Sequence, residues 1–495
     1  MDSLVRAIWL LKYSERNGIT YLKVTVWELI RETCKQANIK IPSIKEFIEL
    51  LDDKTFEIYS KGLTSTINQA DSDWATNLIK AYKPKTLAEM SAFVAAIRPG
   101  FASLLDNFIK RKSYTTSVDS LDELLEDSYH YMMYQESIMK YLIWLGIDEP
   151  SSYDVIKKIA KKKFKEAELK ELHSKLEKGW INNVGTLDGF QETWQVVEDA
   201  SRYSFNASHS LAYAFDSLYG AYLKSHYPLE YYTVALNLYN GDMPRTTRLT
   251  SELDHFNIKL NPPKFRYSQG EYSFDRNTNS IYKGIGSIKY LNETIGKELY
   301  SRRNNQYEDF IELLVDLVEN SSANSRAIEI LIKLGFFDEF GKSKLLLDIY
   351  EFFQKKYKKT YVDKTKALRL TEIREHMLTL NNVELPISDI ITSQLEYVGV
   401  IDYKNKDYDP SIVLITEIKV NKFGTPFFTI YRLCDGVSAS IKVEKETYKN
   451  SGTKLYDAIQ ILEIKQKPKV YKDKDGKWAN SSEKECILSI YRRVI

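Results

Sequence analysis

Tyr203-Ser-Phe-Asn-Ala-Ser-His-Ser-Leu-Ala-Tyr-Ala-Phe215, continuing to Lys224-Ser-His-Tyr-Pro-Leu-Glu230, is the stretch around which the 495-residue chain is read. A short polar loop, Ser204 to Ser210, carries Asn206, Ser208 and His209 and opens onto an apolar run. Asn and Ser ahead of a helix are capping residues, and a helix N-terminus offers N–H groups and positive potential to an anion. His209 adds a donor for a phosphate or a base edge. Pro228 predicts that the helix stops at Tyr227. Taken alone, such a stretch is a structural cap first and an anion site second.

Composition narrows the class. Hydrophobic content of 43%, 28% charged residues and a net charge of +2 describe a soluble globular chain with three or four domains. Any basic surface must therefore be local. Cys34, Cys434 and Cys486 have no Cys-x-x-Cys spacing, which argues against a disulfide framework or a zinc site and for a reducing compartment. The N-terminus reads as no signal peptide, and no run of 18 apolar residues exists, so a cytoplasmic protein without a membrane partner is expected.

The pattern changes along the chain. Helical spacing dominates at first: a helix through Trp27, Ile30 and Cys34, another from Lys45 to Leu51, and a long one over residues 120–146. Lys157, Lys158, Lys161, Lys162, Lys163 and Lys165 follow; on a helix, 157, 161 and 165 share one face and 158 and 162 an adjacent one. A solvated face is the plain reading of such a run. Gly179 to Gly189 reads as a loop and Phe190 to Ala200 as a helix. Lys283-Gly-Ile-Gly286, with Lys289 beyond it, lies between strand and helix patterns, where glycines let backbone N–H groups approach a phosphate. Residues 341–393 are charged and helical, a connector. From 394 the period becomes two: Val398 to Ile401, Ile412 to Lys419, Phe427 to Arg432, Ala439 to Val443, Ile459 to Ile464 and Cys486 to Tyr491. The fold class is α+β multidomain, mostly helical and ending in a small β-barrel of OB type, on which Lys422, Phe423, Phe427 and Tyr431 are candidates for holding single strands.

The opening stretch resembles the fingers signature of the bacterial family C replicative polymerases, the DNA polymerase III alpha subunit family. Arg98-Pro-Gly100, Tyr134-Gln-Glu136 and the lysine run resemble further motifs in the same order; His255-Phe-Asn-Ile-Lys-Leu260 with Asn261-Pro-Pro263 resembles a strand and turn of the family, and Gly284-Ile-Gly286 with Lys289 and Ala327 to Gly335 resembles its helix-hairpin-helix unit. The resemblance implies a palm remnant and start of fingers at 1–85, fingers at 86–250, a helix-hairpin-helix module at 251–345, a helical connector at 346–393 and an OB-fold at 394–495. It implies incoming-dNTP binding by Lys157, Lys158, Lys161, Lys162, Tyr203, Asn206, Ser208 and His209. DNA binding falls to Arg98, Lys283, Gly284, Ile285, Gly286, Lys289, Lys422 and Phe427.

Two departures matter. Ala207 stands where the family has a lysine, and Thr20, on the strand Ile19 to Val24, stands where it has a metal-binding aspartate. The other palm aspartates, the thumb and the phosphoesterase-like domain are expected outside this chain. No catalytic or metal residue is assigned here, and Mg2+ is expected to be held by a partner chain. DNA primer–template, dNTPs, the palm-bearing chain, a sliding clamp and other replisome proteins are the implied partners, in the cytoplasm of a bacterial or phage-infected cell. No good clamp pentapeptide is found; Gln306 to Phe310 has the right ends but reads as structural. The rival is a non-catalytic DNA-binding or scaffold subunit of a replication complex. A Ser208/His209/Asp216 hydrolase is remote, because adjacent Ser and His on one loop do not reach nucleophile–base geometry.

Overall fold

The structure is a computed structural model describing residues 25–494, leaving aside 117, 162, 204–205 and 473–477. The expected palm strand, with Thr20, and Lys162 lie outside the described residues. The chain forms two compact units, residues 1–259 and 260–495.

In the first unit, the apolar run after Asn206 forms the 20-residue helix Ala207–His226, closed by Tyr227 and followed at once by Pro228–Leu238. Nearly every residue from Ala214 to Ser225 is buried, so this stretch of the helix is enclosed on all sides. Ala214, Ser217, Gly220 and Ala221 keep it thin. Leu87–Ala96, Asp53–Lys61 and Thr25–Gln36 pack around it. The surrounding helices start on Ser43, Asp52, Ser72 and Thr86, each capping with its side chain for about 1 kcal/mol.

Lys224 is fully buried on this helix. Its Nζ donates to the carbonyls of Leu63 and Ser65 at 2.8 Å each and to Glu252 Oε2 at 2.5 Å. Glu252 also accepts from Tyr232 Oη at 2.6 Å and from the Ser65 N–H at 3.0 Å. Every donor on the ammonium is used, so the charge is tolerated in the core.

A second core in this unit gathers Leu121, Tyr141, Leu142, Leu176, Trp180 and Trp194 among others. The helix expected over 120–146 is broken into Asp119–Leu124, a 3-10 turn at Glu126–Ser128, and Gln135–Trp144. Tyr129 and His130 both take left-handed backbone angles, φ 56° and 68°, which no α-helix accommodates. The expected loop from Gly179 is also helical, since Glu166–Val184 runs to a left-handed Gly185.

The second unit opens with a small sheet, β1 (Lys259–Asn261), β2 (Ser273–Asp275) and β3 (Ser280–Tyr282), in the order β1-β3-β2. Helices Glu293–Ser301, Phe310–Asn320 and Ser325–Lys333 follow, each capped by an Asn or Asp. Ser343–Lys356 and Asp363–Met377, expected as a connector, bury Leu346, Ile349, Tyr350, Phe353 and Ile373 in the same core. Phe310 lies in that core and Tyr307 Oη donates to Asp316 at 2.6 Å, so the segment Gln306 to Phe310 is structural.

The chain ends in a closed barrel of β4 (Ile412–Val420), β5 (Pro426–Arg432), β6 (Ser438–Val443), β7 (Ala458–Lys472) and β8 (Trp478–Arg493), ordered β4-β5-β6-β8-β7. With the helix Lys445–Ser451 between the third and fourth strands, this is an OB-type barrel. β6 meets β8 in parallel through Lys442↔Ile487 and Val443↔Leu488, whereas the other neighbours are antiparallel. Val398 to Ile401 is not a strand; Val398 ends the helix Ile387–Tyr397. Among the described residues no helix is long and apolar enough to cross a membrane.

Two stability tests follow from the first core. Lys224→Met leaves a buried carboxylate and two carbonyls without their donor, and should cost about 3–5 kcal/mol, read as a lowered urea midpoint. Asp216, on the same helix, has a buried Oδ1 without a hydrogen-bond partner, and burial pushes its carboxyl up from 3.8 to about 7. The folded chain therefore keeps a proton that the unfolded chain loses, so this group's contribution falls as pH rises through that window. Asp216→Asn should raise the melting temperature near pH ~8 and change it little near pH ~4.

Candidate nucleotide and nucleic-acid interface

Asn206 caps the central helix as its sequence suggests: Oδ1 accepts from the N–H groups of Ser208 at 3.1 Å and His209 at 3.2 Å. The helix begins at Ala207, so Ser208 and His209 belong to its first turn and not to a loop. Ser208 Oγ also donates to Asn206 Oδ1. Asp216 lies further along the helix with Trp27 as its hydrogen-bond donor, and no Ser–His–Asp triad forms.

Glu136, read from sequence as an ordinary helix-surface residue, comes to this end. Its Oε2 accepts from the Ala207 N–H at 2.8 Å. With the Ser210 N–H on the Asn206 carbonyl at 2.9 Å, all four N–H groups of the first turn have acceptors within the chain. An anion arriving here must displace a carboxylate.

Arg98 joins this group. It precedes the 3-10 turn Pro99–Phe101, and Nη2 donates to Gln69 Oε1 at 2.8 Å. Its guanidinium lies close enough to His209 to help hold the imidazole below its ordinary pKa, a shift owed first to burial. Tyr213 packs edge-on against His209, with ring centroids 4.5 Å apart. Arg98, Asn206, Ser208, His209 and Tyr213 thus form one polar cluster. Tyr203 ends the preceding helix, Phe190–Tyr203, three residues before the cap.

The lysine run does not form one helical stripe. The helix Glu149–Ala160 ends before it finishes, Lys161 is its C-cap, and the Lys163 N–H closes the end on the Lys158 carbonyl at 2.9 Å. Lysines at a helix C-terminus complement its negative dipole end, which is reason enough for the turn to fall there. Lys157, Lys158 and Lys161 are exposed; the first two lie over the rings of Tyr153 and Phe164 at 4.0 and 5.4 Å.

In the second unit the Gly-Ile-Gly reading needs correction. Lys283 is 2% exposed, and its Nζ is bonded to Asp402 at 2.7 Å, so it is not available to a DNA backbone. Ile285 is fully buried. The N–H groups of Ile285 and Gly286 donate to the carbonyls of Gln269 and Gly270 at 2.9 and 2.8 Å. A Cβ on Gly284 would stand 2.3 Å from the backbone of Glu271, so this glycine serves a close chain crossing.

Exposed charge lies one step further. Lys289 and Arg326 flank the exposed ring of Tyr290 at 5.0 and 3.5 Å, and both cations hold its phenol below the ordinary value. Sequence reasoning missed Arg326, because only the turn of the chain brings it beside Lys289. On the barrel, Phe427 is half-buried between Lys419 and Lys442 on neighbouring strands, while Lys422 lies over the exposed ring of Phe423 at 5.1 Å. Tyr431 is buried and donates to the Tyr403 carbonyl at 2.6 Å, so it is a core residue. Among the described residues no group of three His, Cys, Asp or Glu side chains is placed to hold a metal ion.

Residues 20–184 match the bacterial DNA polymerase III alpha subunit finger domain, and residues 257–346 match a helix-hairpin-helix motif. DNA polymerase III subunit alpha of Campylobacter jejuni is 30% identical over 61% of this chain and 26% of its own length. The Bacillus subtilis subunit is 30% identical over 63% and 28%, and that of Ureaplasma parvum 25% identical over 83% and 42%. The chain thus spans about a quarter to two-fifths of these relatives.

The His209 pKa tests the cluster. Proton NMR should place it below 6.5, and Arg98→Ala should move it up. Because the folded chain resists a proton that the unfolded chain accepts, this group's contribution is lost as pH falls from 6.5 to the folded pKa.

Proposed function

The chain belongs to the bacterial DNA polymerase III alpha subunit family in its finger and helix-hairpin-helix regions, and on that premise we propose that it supplies incoming-dNTP and DNA binding to a split DNA-directed DNA polymerase. A partner chain brings the palm aspartates and the Mg2+ they hold, and the chain alone is inactive. The observation that carries this reading is the capped N-terminus of the central helix, where Asn206 holds Ser208 and His209 in the first turn and Tyr213 packs against the His209 ring. Positioning and charge neutralisation are most of what nucleotidyl transfer asks of a protein. Arg98 and His209 offer donors to a triphosphate, Tyr213 a ring edge, and exposed Lys157, Lys158 and Lys161 further cations in the same unit. Lys289 with Arg326, and Lys422 with Phe423, would hold the DNA backbone and single strand without reading sequence.

The second reading, a non-catalytic DNA-binding or scaffold subunit, is favoured by Glu136 on the Ala207 N–H, where a nucleotide phosphate would otherwise sit. Under the first reading that carboxylate is a competitor; under the second it is a cap.

Primer extension with the chain alone, and mixed with a chain bearing the palm aspartates, separates them. The split enzyme predicts synthesis only in the mixture, weakened roughly tenfold or more by His209→Ala. Glu136→Gln should tighten dNTP binding in that mixture. No synthesis in any mixture, with DNA binding intact, would leave the scaffold.

A further inference from the structure

Apart from the Arg98–His209 cluster, the first unit contains a cavity of about 450 Å³ whose chemistry the preceding reading does not use. Its floor is aromatic: Tyr82, Phe108 and Tyr131 are each 5% exposed or less. Tyr82 and Phe108 stack at 4.8 Å, and Phe108 meets Tyr131 edge-on at 5.8 Å. The rim carries Tyr129, which is 41% exposed and has a left-handed backbone. Tyr129 meets Phe108 edge-on at 6.5 Å, whereas Tyr82 and Tyr131 are already covered by the Arg111 guanidinium at 4.5 Å and by the Tyr114 ring at 4.2 Å, so Tyr129 is the ring left to receive a planar ligand.

Polar groups complete the lining. Arg111 is locked in place, donating to Glu89 at 2.6 Å and to the Tyr82 and Lys83 carbonyls at 2.9 and 3.1 Å. Lys112, also lining the cavity, is exposed, and its Nζ donates to the neutral Asn107 amide oxygen at 3.3 Å. The Tyr131 hydroxyl is buried without a hydrogen-bond partner among the described residues. Glu126 contributes a carboxylate that accepts donors. Beyond a wall made by Tyr114 and His130, joined by His130 Nδ1 and the Tyr114 carbonyl at 2.9 Å, lies a second cavity of about 290 Å³.

We propose that the larger cavity is a stacking pocket for a nucleobase, with Lys112 on the phosphate that follows it. Planar rings, one exposed cation and hydrogen-bonding groups of both signs fit a base of either donor or acceptor edge. The volume lies within the ordinary range of small-ligand pockets. Two cavities sharing one wall suit successive units of a single strand; a free nucleotide shares the chemistry of the first. The choice of single-stranded DNA as the principal source rests on the proposed function, whereas the pocket itself does not.

The probe is a short oligothymidylate with one 2-aminopurine, titrated into the full chain, with free 2-aminopurine deoxynucleotide as the second arm. Stacking should quench the fluorescence. Tyr129→Ala should weaken oligonucleotide binding about tenfold, and Tyr129→Phe should restore it. Tyr129 is exposed and its backbone angle is unfavourable for any of these residues, so the two variants differ in the ring alone. Lys112→Ala should reduce the salt slope by about one phosphate contact. The same Tyr129 dependence with the free nucleotide, and not with the oligonucleotide, assigns the pocket to a mononucleotide. No quenching with either probe, or quenching untouched by Tyr129→Ala, overturns the inference. Primer extension by the same preparations, mixed with the palm-bearing chain, tests the proposed function separately, so failure of the pocket and failure of that function are told apart.

Discussion

A single ammonium group ties the central helix of the first unit to two neighbouring segments. Lys224 lies in the enclosed stretch of its helix, and its charge survives there because two carbonyls and a carboxylate converge on it. That requirement fixes the segment Leu63–Ser65 and the helix Met243–Glu252 against the central helix at once. Direction enters with it. Apolar packing tolerates small slides, but a buried cation with three short bonds does not. The helix is therefore seated at one depth, and its capped end, more than four turns away, inherits that placement. The cluster of Arg98 and His209 owes its geometry to a residue that never touches it.

The capped end is poised between two uses. Asn206 satisfies two N–H groups and Glu136 a third, so the helix dipole is answered from within the chain. A carboxylate at such a place makes anion binding an exchange. The potential of the end is neutralised before and after, and the gain on binding comes from the difference between two anions.

Much of this was legible from residue types. Pro228 ended the helix where it should, Asn206 capped it, and period-two alternation announced every strand of the barrel. What escaped was tertiary. Nothing local marks Tyr129 and His130 as left-handed, since neither is a turn residue; the aromatic packing of Tyr129 and Tyr131 against Phe108 overrides the helical pattern around them. Lys283 looked like a phosphate ligand because it precedes Gly-Ile-Gly, yet Asp402, 119 residues later, neutralises it. Glu136 looked like a surface residue because its partner is a backbone N–H 71 positions away. Charge in a sequence reports what must be satisfied, and not by whom.

The barrel has an unequal circumference. β7 and β8 are zipped from Ile459↔Arg493 to Lys472↔Trp478, so they move as one leaf. β6 meets β8 through two residue pairs, reinforced by the Glu444 N–H on the Leu488 carbonyl at 3.0 Å and by Lys442 on Glu485 at 2.7 Å. That side is a door, and the ion pair is its latch. Opening that seam breaks fewer bonds than opening the β7–β8 ladder, so amides at Val443 and Glu444 should exchange with solvent ahead of those deep in that ladder. Salt that screens the latch loosens the door without touching the hydrophobic core behind it.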